Sequence, residues 1–217
     1  MTVDQVIPSS NPSPNTGRIR QENTEKILAA AAHEFVQHGF RGASLQKIAE
    51  RAELPKANVL YYFKSKQGLY SALLEDIIAL WNSAFDHISE DDDPAEALAS
   101  YIHAKVKYSF THPMASRIFA SEIIHGAPNL SAQLGKPLHD WVDGRTRVMQ
   151  HWMEQGKMRQ LDPLHLLFLI WSSTQFYADF GAQVDGLVPR PLDASEQQRI
   201  AEQLTDVILR GCGLHIE

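Results

Sequence analysis

The sequence predicts an all-α protein of about nine helices, and three observations predict it. Apolar residues recur at spacings of three and four along almost the whole chain. Val and Ile do not gather into alternating runs, and no Asn-Gly turn separates two such runs as a hairpin would require. The breaks carry helix punctuation: Gly39 and Gly211 as stops, and Asp-Pro at 93–94 and 162–163 as starts.

The first helix is expected over residues 23–38, with Ile27, Leu28, Ala31, Phe35 and Val36 as its apolar stripe. A short second helix follows Ser44, a good N-cap, and turns Leu45, Ile48 and Ala49 inward. Pro55 fits the first position of a short third helix, about 55–61, because its missing N–H is not needed there. Ser65 caps a long helix expected over 66–88, with Leu69, Leu73, Ile77, Leu80 and Trp81 on one face. Asp93, Pro94 and Glu96 make a strong helix start after an acidic loop. Further breaks fall at His112–Pro113 and at Gly126–Pro128. Asp162 and Pro163 open a helix of about 163–183. Asp193 with Glu196 opens the last one, striped by Ile200, Leu204, Val207 and Ile208.

The chain has 217 residues, which suits one large domain or a small domain joined to a larger one. Hydrophobic residues make up 44% of it, enough for a core without disulfides. Cys212 is the single cysteine, so no bridge forms within one chain and a reducing cytoplasm is expected. Residues 1–17 are rich in Pro, Ser and Asn, lack a basic start and an apolar stretch, and read as a disordered tail. No apolar run reaches the roughly 18 residues of a membrane span.

The net charge is −6, yet the charge is unevenly placed. Residues 18–70 hold nine Lys/Arg against five acids, a balance of +4, while residues 71–217 hold eleven against twenty, a balance of −9. A basic head on an acidic body is expected of a nucleic-acid-binding domain joined to a different kind of domain.

The segment LPKANVLYYFKSKQGLY, residues 54–70, is both basic and aromatic. Two short helices joined by a tight turn are a helix-turn-helix, whose second helix can enter the major groove. On this reading Ser44 caps the first of the pair and turns its N-terminus toward a phosphate. Lys47, Lys56, Lys66 and the hydroxyls of Tyr61 and Tyr62 contact the DNA backbone. Asn58, whose amide offers a donor and an acceptor together, is the candidate base reader. Phe63 is expected to pack inward.

Phe35, Gly39, Phe40, Ser44, Ile48, Ala49, Ala52, Leu54, Leu60, Tyr61, Tyr62, Phe63, Lys66 and Leu69 together resemble the DNA-binding domain of the Tet repressor family. Glu53 stands where that family usually has a turn glycine, and Pro55 where it usually has serine. The resemblance implies a DNA-binding domain over 18–68 and a ligand-binding and dimerisation domain over 69–217. It implies a homodimer formed through the last two helices, a palindromic double-stranded operator, a small-molecule effector, and repression as the default. The apolar faces of 163–183 and 196–210 suit a four-helix dimer interface and an ordinary core alike.

Trp171 and Gln175 are four residues apart and so share a helix face, and Trp81 lies near the end of the long helix. Indoles beside one amide are what a nucleobase-like ring would want, since the ring stacks and the amide pairs with a lactam edge. The same residues also fit a packed core with a satisfied glutamine. ASRIFASEIIHGAP (115–128) and LDPLHLLFLIWSSTQFYADFGAQV (161–184) resemble the pyrimidine-utilisation branch of the family. That resemblance implies uracil or thymine as effector, with Trp81, Trp171 and Gln175 in the pocket and, by extension, Arg117, Glu122 and Tyr177. The alternative is a regulator of the same kind that answers a different small hydrophobic or heterocyclic ligand.

An enzyme is not expected. There is no G-x-S-x-G elbow, no G-x-G-x-x-G and no phosphate loop, since Gly135-Lys136 runs into Pro137 and position 130 is leucine. His33 and His38 are five apart, unlike the zinc-protease pair, and the ten histidines form no metal-ligand cluster, so neither metal nor cofactor is expected. A general DNA-binding protein without a ligand is the third class. It would bind random duplex as well as a palindrome.

Overall fold

Ile27, Ala31 and Phe35 recur at helical spacing and are buried on one side of α1 (Pro14–Gly42). The computed structural model describes residues 14–130 and 135–215, and residues 1–13 of the expected tail lie outside them. The helix begins well before residue 23, because polar side chains ahead of Ile27 pair along it. Arg18 meets Glu22 at 3.4 Å, and Gln21 donates to Glu25 over 3.0 Å. Gly39, at φ 62° and ψ 177°, kinks the chain where the stop was expected.

The chain divides into two compact units, residues 1–69 and 70–217. In the first, α2 (Leu45–Arg51) is capped by Ser44, whose hydroxyl accepts from the Lys47 amide over 3.5 Å. α3 (Lys56–Phe63) has Pro55 as its N-cap rather than its first helical residue, since Pro55 is extended at ψ 143°. Ile48, Ala49 and Val59 close the small core, and Phe63 is half-buried. Between the helices Glu53 adopts a left-handed conformation, φ 56°. A β-carbon there costs about 1–2 kcal/mol that a glycine would avoid.

α4 (Lys66–Ser83) begins in the first unit, continues into the second and stops five residues short of the expected 88. The Ser83 hydroxyl turns back onto the Leu80 carbonyl at 2.7 Å, and Phe85 stacks on the Tyr101 ring with centroids 4.1 Å apart. α5 (Pro94–Thr111), α6 (Pro113–Ile124), α7 (Lys136–Glu154) and α8 (Pro163–Asp179) follow. Asp93 and Asp162 each cap a helix through two backbone amides, as their sequence signals predict. The helix expected over 163–183 is two helices, with α9 (Gly181–Leu187) set off at Phe180. A β-carbon on Gly181 would lie 2.6 Å from the Arg117 guanidinium, so a larger residue at this break would have to displace that side chain. α10 (Ala194–Gly211), capped by Asp193, makes ten helices among the described residues.

The core of this unit gathers Leu98 and Ile102 of α5, Met149 and Trp152 of α7, Leu167 and Ile170 of α8 and Leu209 of α10, all buried. α8 buries that face and leaves another one bare: Phe168, Leu169 and Phe176, with Phe180 just beyond, are 38–52% exposed. None of the described helices is long and apolar enough to cross a membrane.

Candidate functional site

Two sets of residues have the chemistry of a site, one in each unit. In the first unit Lys47, Lys56 and Tyr61 are exposed, while Ser44 and Asn58 are half-buried. The Asn58 side chain makes no hydrogen bond to another described residue. Tyr61 is 65% exposed and meets the Tyr62 ring edge-on, with centroids 5.3 Å apart. Two of the expected DNA contacts are already engaged. The Tyr62 hydroxyl accepts from Asn23 of α1 over 3.2 Å. Lys66 donates to the carbonyls of Arg41 and Ala43, each at 3.1 Å, and its ammonium lies 5.1 Å from the Phe40 ring centroid. Lys66 therefore clamps the bend between α1 and α2, which leaves fewer of its donors for a phosphate.

Glu34 has a structural role that the sequence does not signal. It is buried on α1, and one carboxylate oxygen accepts the Ser44 amide over 3.0 Å. The first amide of the α2 cap is thus satisfied from within. A single buried acid inside an apolar stripe carries no sequence signal of its own.

In the second unit a cavity of about 70 Å³ lies among α4, α5, α6, α7 and α8. That volume is far below the roughly 300–1,000 Å³ of sites for drug-sized ligands and below the roughly 150 Å³ of a cavity that takes one benzene ring, so a small ring enters only as the walls move apart. Trp81, Phe119, Trp141 and Trp171 supply aromatic walls, and Asn82, Tyr101, Lys105 and Gln175 supply polar groups. Trp81 and Phe119 meet edge to face at 4.7 Å, and the Trp141 and Trp171 rings lie 6.4 Å apart. The Trp171 indole donates to the Tyr101 hydroxyl over 2.7 Å, so that hydroxyl keeps its own proton to give. Burial holds Tyr101 un-ionised by pushing its pKa well above the ordinary phenol value. The side-chain amides of Asn82 and Gln175 make no hydrogen bond to another described residue.

Of the six residues expected around a ligand, Trp81, Trp171 and Gln175 line this one cavity. The other three are not among its lining residues. Arg117 reaches over the end of α8, where its Nε donates to the Ala178 carbonyl at 2.9 Å. Glu122 is buried, and it accepts from the Tyr70 hydroxyl at 3.1 Å and from the Asn129 amide at 2.5 Å. Tyr177 packs its ring against Phe110, with centroids 5.7 Å apart. Tyr101, Lys105 and Trp141 join the cavity without having been expected there.

Cys212 is buried, which pushes its thiol up to about 11 and leaves it a poor nucleophile. No cluster of three or more His, Cys, Asp or Glu among the described residues is placed to hold a metal ion.

A helix-turn-helix unit joined to a helical unit with a small aromatic cavity defines a one-component regulator, in which one chain binds both DNA and a ligand. Residues 27–73 match the family described as bacterial regulatory proteins, tetR family, and residues 74–215 match that of the YcdC-like protein, C-terminal region. The chain belongs to the TetR family of transcriptional regulators. It is 39% identical over 186 residues to the HTH-type transcriptional regulator RutR of Escherichia coli K12, covering 85% of this chain and 88% of that one. It is 29% identical over 196 residues to the HTH-type transcriptional repressor NicS of Pseudomonas putida, covering 86% and 91%. Solved structures share the fold. A transcriptional regulator of Streptomyces coelicolor superposes with a TM-score of 0.69 at 22% identity, over 88% of this chain and 98% of that one. The regulator PfmR of Thermus thermophilus does so at 0.66 and 20%, over 85% and 97%. The chain is accordingly a DNA-binding, ligand-responsive transcriptional regulator that acts as a dimer, and not an enzyme.

Proposed function

We propose that this regulator holds its operator until a planar, nucleobase-like ring such as uracil or thymine enters the cavity between α4 and α8. The observation that carries this reading is the meeting of Trp81, Trp171 and Gln175 around about 70 Å³. A flat ring with alternating carbonyls and N–H groups stacks on indole. It pairs with a carboxamide, which offers a donor and an acceptor side by side. Tyr101 and Asn82 complete the complement by donating to ring carbonyls. The resemblance of residues 115–128 and 161–184 to the pyrimidine-utilisation branch supports a pyrimidine in particular.

On this reading residues 18–68 bind DNA, with Asn58 reading a base edge and Lys47, Lys56 and Tyr61 holding phosphates. Residues 69–217 bind the effector and pair with a second copy through the bare face of α8 and through α10. Half-sites one helical turn apart lie about 34 Å from one another. An effector that favours a different separation of the two DNA-binding heads lowers operator affinity by shifting the population between them. α4 carries Trp81 and begins at Lys66, which makes it the proposed lever. The protein works in the cytoplasm, where operator and effector meet.

Thermal melting against uracil, thymine, cytosine, dihydrouracil and xanthine at millimolar concentration tests this reading. A ligand at about 100 times its Kd adds roughly 2.7 kcal/mol, which for a chain of this size raises the midpoint by about 5–10 °C. Uracil or thymine alone should produce that rise and should release a palindromic operator in a mobility-shift assay. If neither does, the pyrimidine assignment is wrong.

A further inference from the structure

Lys105 is the one residue lining the cavity whose side chain can carry a charge that a neutral ring does not balance. It stands on α5, is 3% exposed, and lines the same space as Trp81, Trp171 and Gln175. Its ammonium lies 4.6 Å from the centroid of the Trp81 ring. The indole face attracts that cation on one side, and no acceptor among the described residues takes its protons. A buried ammonium without an anion is strongly unfavourable unless something in the site compensates.

The charged groups around it do not fill the role. Asp179 at the end of α8 acts on Lys105 from a distance, and its carboxylate is already held by the Ser116 hydroxyl of α6 at 2.5 Å. Arg117 of α6 bears on Asp179 as well and offsets its charge. Glu122 of α6 is taken up by Tyr70 and Asn129. Tyr101, beside Lys105 in the cavity, is held neutral. From α7 the wall is Leu138 and Trp141, which bear no charge.

We propose that the effector is an acidic heterocycle that binds with its negative charge against the Lys105 ammonium, so that the cavity selects for N–H acidity as well as for shape. Burial draws Lys105 down to about 7, so near neutrality the free protein holds the lysine in both forms. The bound pair is the same from either starting point. A ring that arrives as an anion meets the ammonium. A ring that arrives neutral passes its N–H proton to the Lys105 amine and keeps the electron pair on nitrogen. This deepens the pyrimidine reading and rests on it for the shape of the ring, but the demand for charge comes from Lys105 alone.

Calorimetric titration of the full chain at pH 7.5 tests the inference, with uracil, 5-fluorouracil and pyridine-2-carboxylate as ligands. 5-Fluorouracil is close to uracil in size and has more acidic N–H groups, and pyridine-2-carboxylate is a planar anion of another kind. The wild type should bind 5-fluorouracil at least about 3-fold more tightly than uracil. Lys105→Met should weaken both by about 10–100-fold, the range expected when a charged partner is lost, and should erase the preference. Lys105→Gln repeats the comparison with a polar, uncharged head in case the methionine variant does not fold. The inference fails if the preference survives in either folded variant, or if the variants bind as tightly as the wild type. If pyridine-2-carboxylate binds through Lys105 and neither pyrimidine binds, the requirement for charge stands and the pyrimidine reading falls. If none of the three binds, both fall.

Discussion

Tyr70 donates its hydroxyl proton to Glu122 across 3.1 Å, joining α4 to the last turn of α6. The same carboxylate takes the backbone and side-chain N–H groups of Asn129. Three segments thus converge on one buried acid. Burial first, and then the charge of Glu122, raises the Tyr70 pKa well above the ordinary phenol value, so the hydroxyl keeps its proton. Tyr70→Phe removes one bond and leaves Glu122 two others. The expected loss is about 1 kcal/mol, a fall of about 2–4 °C in Tm. Glu122→Ala removes all three of these bonds and should cost clearly more, about 3 kcal/mol. Equal melting of the two variants would show that Glu122 does not hold these segments together.

Gln175→Ala should weaken effector binding by about 10–100-fold, the loss of a buried amide pair, and should keep operator affinity. Titration calorimetry and a mobility-shift assay on the same preparation read the two effects separately. Full induction of the variant would remove Gln175 from the site.

Asn58→Ala should lower operator affinity by about 1–3 kcal/mol, or about 10–100-fold, and should leave random duplex bound as before. Lys56→Ala should weaken both about equally and flatten the salt dependence. A reversal of the two patterns would exchange the reading and anchoring roles of these residues.

Lys105 also links stability to pH. Its folded pKa, about 7, lies below the ordinary lysine value of 10.5, so between those values the unfolded chain binds the extra proton. Stability contributed at this position therefore rises as pH goes from about 7 toward 10.5 and is lost on return to neutrality. The raised pKa values of Tyr70 and Tyr101 act in the opposite sense above about 10, where the unfolded phenols ionise. Melting curves from pH 6.5 to 9.5 isolate the lysine. The wild type should gain on Lys105→Met across that range, and a constant difference between them would place the folded Lys105 pKa above it.

What the sequence discloses is local. Ser44, Asp93, Asp162 and Asp193 cap helices where their spacing says they should, because a cap depends on its own residue and the next three. Glu53, which stands where the resembling family has a turn glycine, takes the left-handed conformation that glycine adopts without strain. Trp171 and Gln175 are legible as neighbours from their four-residue spacing, while Trp81 joins them through resemblance. Lys105 is different. It and Lys107 look alike in HAKVKYSF, yet one is buried and the other exposed. Only the packing of α4 and α8 against α5 tells them apart, and pattern along one helix does not contain it. Lys66 is a similar case, since a lysine in a basic stretch reads as a phosphate contact until its carbonyl partners are seen. Arg117 and Glu122 were expected beside a ligand, but each is spent on holding backbone and neighbouring side chains in place.

The bare aromatic face of α8, as the proposed pairing surface, would tie this protein to its own abundance. On that proposal Phe168, Phe176 and Phe180 lose contact with water when a second copy covers them, and part of what holds each chain folded is then supplied by mass action. A cell that keeps few copies keeps them nearer to dissociation and to unfolding. A rise in copy number strengthens the fold and the grip on a two-part operator together, so the dose of the regulator sets the sharpness of its response.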